Sequence, residues 1–315
     1  MSGTGTVRAP APGRPLRRWR EGAWVTGEDR PAVPPEEAAV AIVIDGASQA
    51  VLMATPHDLG DLALGFALTE GLIDSPADVT HAETLEVAAP VPGMAAHEAR
   101  LWLRPGLSVR LAERRRSMVG PVGCGLCGVD SIAAALPAVV PVDSDWTMLP
   151  SDVGWAMTAL IEGQHLRQQS PAIHGAAFWN GARALVREDV GRHNALDKLA
   201  GALAGQVGAI SGKGEDEEAA IGLEHSGQVP DEPVAPSTAL PFDRLASQGA
   251  IVMSSRISVD LVQKAARLGA PVLIGASAPT ALALDWAQRA GITVIGRARG
   301  ETFDLYTHPH RIVGT

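Results

Sequence analysis

Cysteine is nearly absent from this chain: its 315 residues contain two, Cys124 and Cys127. A disulfide-stapled secreted scaffold is thereby excluded, as is a complete zinc ribbon. No run of about 18 apolar residues occurs, so no segment is expected to cross a membrane. The N-terminal arginines (Arg8, Arg14, Arg17, Arg18 and Arg20) are not followed by an apolar stretch, which argues against an export signal. No repeat recurs at a solenoid period. Hydrophobic residues make up 46% and charged residues 19%, a globular balance that excludes wholesale disorder. The net charge of −9 speaks weakly against a nucleic-acid partner. Seven of the acids lie between Glu215 and Glu232, a stretch without Lys or Arg; setting them aside leaves −2 for the rest of the chain. These features make a soluble cytoplasmic protein the default expectation.

The first 37 residues, rich in Pro and Arg, read as an unstructured basic arm. Val40–Asp45 and Ala50–Ala54 read as strands joined by a Gly-Ala-Ser-Gln turn. A helix then runs from a Thr55 cap, with Pro56 at its first position, to about Ile73. Glu83–Ala88, Glu98–Leu103 and Ser108–Ala112 add strands, giving a smaller α+β unit over 38–148. From 149 to 315 the rhythm changes. A helix over Ser151–Gln168 precedes a hairpin of Phe178–Trp179 and Arg183–Arg187 about Asn180-Gly181, and Asn194–Ala204 is helical. Strands Ile251–Ser254, Val272–Gly275 and Ile292–Ile295 alternate with helices Ser258–Leu268 and Pro279–Arg289. This alternation predicts a layered α/β sheet with ligands beyond the strand C-termini. The Gly, Pro and acid-rich segment 205–240 reads as a solvated insertion.

Three groups of residues carry chemistry. Cys124 and Cys127 stand in Gly123-Cys-Gly-Leu-Cys-Gly128, just before a predicted helix Ser131–Leu136. Backbone N–H groups at a helix start, helped by Arg114, Arg115 and Arg116, favour the thiolate, the nucleophile of sulfur transfer and disulfide exchange. Half of a metal site and an inert buried pair are the alternatives. Arg187–Lys198 packs seven ionisable side chains into twelve positions at a turn entering a helix. Either His193 acts as a base or phosphate donor, or the cluster is a salt-bridged surface turn. His174, before a Gly-Ala-Ala-Phe-Trp strand, reads as structural. The third group comprises the strand–helix junctions Ser254-Ser255-Arg256 and Gly275-Ala276-Ser277 and the segment Gly296–Thr302 that follows the last strand. With Ser258 as a helix cap, these form a cradle for a phosphorylated ligand. None of the junctions has a Gly-x-Gly-x-x-Gly or Walker A fingerprint, so a standard NAD or P-loop site is not expected there.

Ala54-Thr-Pro-His-Asp-Leu59, Thr69-Glu-Gly71, the Cys124/Cys127 loop, Arg187–Lys198, Gly269-Ala-Pro-Val272 and Tyr306-Thr-His-Pro309 together resemble the family of formate dehydrogenase accessory sulfurtransferases (FdhD). The resemblance implies a cytidine deaminase-like three-layer α/β/α C-terminal domain beside the smaller N-terminal one. It also implies a sulfur carrier that takes sulfur from a cysteine desulfurase as a cysteine persulfide. Cys124 would be the carrier and Cys127 its assistant. The sulfur would go to the molybdenum cofactor before its insertion into formate dehydrogenase. A molybdenum bis(molybdopterin guanine dinucleotide), with GDP as a surrogate, would lie against Arg297, Ala298, Arg299, Gly300, Glu301 and Thr302, with Arg256 and Ser277. A homodimer is implied. The His-x-Glu and Pro-Cys-x-x-Cys signature of deaminases is missing, so neither zinc nor deamination is expected. The rival readings are a cofactor chaperone without sulfur chemistry and a dithiol oxidoreductase.

Overall fold

A computed structural model describes residues 17–26, 34–89, 91, 94–107, 138–139, 141–211 and 244–314. The cysteine loop at 123–128, the expected strand Ser108–Ala112, the expected helix Ser131–Leu136 and residues 212–240 of the acidic insertion lie outside the described residues.

Strands β1 (Arg17–Arg20) and β2 (Ala23–Thr26) pair antiparallel about Glu21-Gly22. This hairpin corrects the expectation of an unstructured arm across these residues. Trp19 and Trp24 stand opposite each other with ring centroids 5.2 Å apart, an edge-to-face contact that average composition hides.

A four-stranded sheet follows, built from β3 (Ala38–Ile44), β4 (Ala47–Ala54), β5 (Val79–Val87) and β6 (Ala96–Leu103) in the order β4-β3-β6-β5. The β3–β4 turn is Asp45-Gly46, not the four residues expected. Both residues have positive φ, 48° and 75°, the requirement of a two-residue hairpin turn that matches strand twist. Helix α1 (Leu59–Thr69) covers one face of this sheet. Its cap position is Asp58, in the left-handed region, and not Thr55. Thr55 is buried and its hydrogen bonds run elsewhere, as described below.

The second half contains α2 (Pro150–Gly163), α3 (His165–Gln169), β7 (His174–Trp179), β8 (Ala184–Asp189) and α4 (Arg192–Ser211). Then come β9 (Ala250–Met253), α5 (Val259–Arg267), β10 (Val272–Gly275), α6 (Ala281–Ala290), β11 (Thr293–Arg299) and β12 (Thr302–Leu305). The sheet order is β12-β11-β10-β9-β7-β8. Strands β9, β10 and β11 are parallel, and β7 runs against them. The expected single helix over 151–168 is broken at Gln164, because the Glu188 carboxylate takes the N–H groups of Leu166 and Arg167 at 2.7 and 2.9 Å and starts a new helix. Helix α4 extends to Ser211, into the segment read as insertion.

Alternation along the strands assigns their two faces. Ala177, Ala250, Val252, Val272, Ile274 and Ile295 pack with Val153, Met157 and Leu160 of α2. Phe178, Ile251, Met253, Leu273 and Val294 pack with α4, α5 and α6. The result is three layers, α/β/α. The second cluster continues without a break through α1 to Ile42 and Leu101 of the smaller sheet.

The junction is a crossing of α1 and α4 at bare backbone. A Cβ added to Gly65 would overlap the Asp197 carbonyl, and one added to Gly201 would overlap that of Asp61. Gly65→Ala should therefore destabilise the protein by about 1–3 kcal/mol through overpacking, despite alanine's better helix propensity. Chemical denaturation measures the loss, and a gain would show that the helices separate without penalty.

Candidate functional site

Because β8 is antiparallel to β7, and β7 to β9, the C-terminal ends of β8, β9, β10 and β11 meet at one edge, together with the first residue of β7, His174. The three expected junctions do lie side by side there. Ala276 N–H donates to Met253 O at 3.0 Å, Arg297 N–H to Ser277 O at 3.2 Å, and Thr280 N–H to Ile257 O at 3.0 Å. Gly175 N–H donates to Ser254 Oγ at 2.8 Å, which ties in the start of β7.

Arg256, Ser277, Arg297, Arg299, Gly300, Glu301 and Thr302 are exposed at this edge, whereas Ala298 is buried and its side chain belongs to the core. The segment after Ile295 is not the loop expected. The strand continues to Arg299 and turns back as β12, with a bulge between Gly296 and Arg299. Arg297 sits in the bulge with φ 52°, an unusual conformation for a side-chain-bearing residue, and its guanidinium pairs with Asp304. Tyr306 donates to the same carboxylate at 3.1 Å. Arg299 makes no ion pair among the described residues. Ser258 occupies the cap position of α5, but its hydroxyl makes no capping bond.

The Arg187–Lys198 segment is no surface turn. Asp189 is wholly buried. One of its oxygens accepts from Thr55 N–H at 3.0 Å and lies 2.7 Å from the Lys198 ammonium; the other accepts from Gly191 N–H at 2.8 Å and Asn194 Nδ2 at 3.0 Å. Lys198 also donates to Thr55 O at 2.9 Å, and Val190 N–H donates to the Thr55 hydroxyl at 3.0 Å. Asn194 reaches Met53 O at 2.9 Å. Arg187 pairs with Asp61 at 2.7 Å. A second buried group joins Lys264 to Asp197, Glu70 and Thr69 at 2.7–2.8 Å. Burial alone would lower the Lys264 ammonium, but Asp197 and Glu70 outweigh it and hold it above its ordinary value. Lys264 escaped the sequence reading; the signal was its place between Leu261 and Ala265 on the apolar face of α5.

His193 touches the Asp260 carboxylate. Burial pushes its imidazole down to about 4, with Asp260 opposing and Arg192 assisting. His174 is also lowered, by burial and by Arg167 and Arg192. The Arg192 charge thus disfavours protonation of both histidines.

Two of these strand ends thus present exposed guanidiniums and backbone donors beside a buried polar network, while the two thiols lie outside the described residues. The sequence model of the FdhD/NarQ family matches residues 35–213 and 239–313. The chain belongs to this family. The "Sulfur carrier protein FdhD" of Agrobacterium fabrum is 39% identical over 297 residues, 93% of each chain. That of Cupriavidus necator is 39% identical over 299 residues, 94% of this chain and 88% of that one. A crystal structure described as "a putative formate dehydrogenase accessory protein", from Desulfotalea psychrophila, superposes with a TM-score of 0.62 at 20% identity over 95% of this chain and 98% of that one. It shares the fold. Among the described residues no helix is long and apolar enough to cross a membrane.

Lys198→Met should cost about 3–5 kcal/mol of stability, because Asp189 is left buried without its counter-charge; a denaturant midpoint unchanged from the native one would contradict this. His193 should remain neutral from pH 8 down to pH 5, since its proton affinity is set near 4. Its ring resonances in an NMR titration should then show no inflection above pH 5. The unfolded chain binds that proton near pH 6.5, so this residue's contribution to stability falls as the pH drops from 6.5 towards 4.

Proposed function

We propose that this protein is a sulfur carrier in formate dehydrogenase maturation, with Cys124 as the carrying thiol. One observation supports the reading most: a chain matching the sulfur carrier proteins over nine-tenths of their length has only two thiols, three residues apart between glycines. Sulfur carried covalently as a persulfide has no other place to ride. In the loading step the Cys124 thiolate attacks the outer sulfur of a desulfurase persulfide. The donor S–S bond breaks, the donor cysteine leaves as thiolate, and a new S–S bond stands on Cys124. Cys127 assists in passing the sulfur on.

The acceptor in this reading is a molybdenum bis(molybdopterin guanine dinucleotide), the cargo of the reaction. The strand-end cluster suits its phosphates. Arg299 and Arg256 are exposed and make no ion pair among the described residues, Ser277 offers a hydroxyl, and the backbone of Ala298–Thr302 lines the turn. Arg297 is committed to Asp304 and serves less as a direct ligand than as a support for the turn. The reading includes a cytoplasmic homodimer and a cytidine deaminase-like origin of the three-layer sheet, which the antiparallel β7 beside parallel β9, β10 and β11 favours.

Incubation with desulfurase and cysteine should add the mass of one sulfur atom to the intact chain, and Cys124→Ala should abolish both this adduct and formate dehydrogenase maturation. Full maturation by that variant would refute the assignment. Cofactor or GDP binding without any sulfur adduct would favour a chaperone. Arg299→Ala should weaken GDP binding about tenfold, the value of one charge-assisted hydrogen bond; unchanged affinity by calorimetry would remove Arg299 from the site.

A further inference from the structure

The opposite end of the large sheet carries a groove of about 520 Å3. Because β7 runs against β9, its last residue, Trp179, and the turn at Asn180-Gly181 lie at the far end of the strands from the arginine cluster. Three of the chain's seven tryptophans, Trp146, Trp155 and Trp179, line the groove, together with Asp152 and Glu162. Trp179 is buried and Trp146 half-buried, and both pack into the core beneath α2, so these two indoles are held in place. Trp155 differs, with 66% of its surface exposed. An indole left in water forgoes its hydrophobic burial, and tryptophans desolvated on docking dominate the energetics of protein interfaces.

Helix spacing builds the wall of the groove. Asp152, Trp155, Ala159 and Glu162 follow at i, i+3, i+7 and i+10 along one side of α2, while Val153, Met157 and Leu160 turn into the core. Asp152 gives one oxygen to the Leu149 N–H at 2.8 Å. Glu162 is exposed and pairs with no cation among the described residues. The surrounding sequence is one-signed: from Pro141 to Gln164 it has four acids, Asp143, Asp145, Asp152 and Glu162, and no Lys or Arg.

The chemistry of an occupant follows. Indole faces and carboxylates both attract a cation, and a planar guanidinium can stack on the ring while it pairs with the acid. An anion would be repelled, and a purely apolar ligand would desolvate the carboxylates without matching them. Asp152 and Glu162 stand about 15 Å apart along the helix axis, so a segment laid past Trp155 reaches both, whereas a single small cation reaches one. We propose that this groove docks an arginine-bearing segment of a partner protein, with Trp155 as the anchor and Asp152 and Glu162 taking the charge. Docking here leaves the arginine cluster at the other end of the strands uncovered. The assignment goes beyond the sulfur-carrier reading and does not depend on it.

Calorimetric titration of the full chain with a capped peptide carrying two arginines four residues apart, about 13 Å when extended, tests it. Trp155→Ala should weaken binding about tenfold or more, and Glu162→Gln by a smaller factor. Affinity should fall as salt is raised, and the same peptide with glutamine in place of both arginines should bind at least about tenfold more weakly. Trp155 is exposed, so Trp155→Ala should keep the native thermal melt; if it does not, Glu162→Gln decides. Absent binding by the unaltered chain, unchanged affinity in both variants, or equal binding of the glutamine peptide would overturn the proposal. Free arginine amide binding as tightly as the peptide would also overturn it, in favour of a small cation. So would a change from dimer to monomer in Trp155→Ala by sedimentation, since a second copy of the chain would then be the occupant. Sulfur loading is measured separately on the unaltered chain, so its failure would count against Cys124 and leave the peptide result untouched.

Discussion

The buried pair of Asp189 and Lys198 is the constraint on which the rest of the structure depends. A carboxylate and an ammonium with no access to water survive only when each is fully matched. The matching draws on both halves of the chain: Thr55 and Met53 come from the end of β4, and Val190, Gly191 and Asn194 from the start of α4. The same few bonds therefore dock the smaller sheet, set where α4 begins, and fix Arg192 and His193 at the strand edge. Lys264 repeats the device at the adjacent residue of α4, joining α5 to Asp197 and to Glu70 beyond α1.

Much of the architecture was legible beforehand because it follows from periodicity. The strands β9 and β10, their helices, and the hairpin at Asn180-Gly181 fall close to their expected limits, since short apolar runs and turn residues leave few alternatives. The sheet order also brings the ends of β9, β10 and β11 together as the alternation required. Errors arose where a tertiary partner overrode a local signal. Thr55 has the chemistry of a cap, yet Asp189 and Val190 claim it. Gln164 has no breaking propensity, yet the Glu188 carboxylate captures the next two N–H groups. Nothing local foretells the return strand β12, whose pairing with β11 depends on a bulge.

The site was legible unevenly for the same reason. Arginines at strand ends are visible in the sequence, but Arg297 is diverted by Asp304, seven residues on, and Ala298 turns inwards. The dense Arg187–Lys198 segment was ambiguous between a working site and a surface turn. Burial resolves it as no surface turn: Asp189, Asn194 and Lys198 hold the fold together, Arg192 opens α4 between them, and His193 is held against Asp260.

The glycine crossing of α1 and α4 has a consequence for how cargo can be passed on. With main chain against main chain at Gly65 and Gly201, and charged pairs bridging the same seam, the two sheets have no hinge between them. Clamshell closure of two lobes around a ligand is thereby excluded. The two sheets turn as one body, presenting a fixed edge to whatever is brought against it.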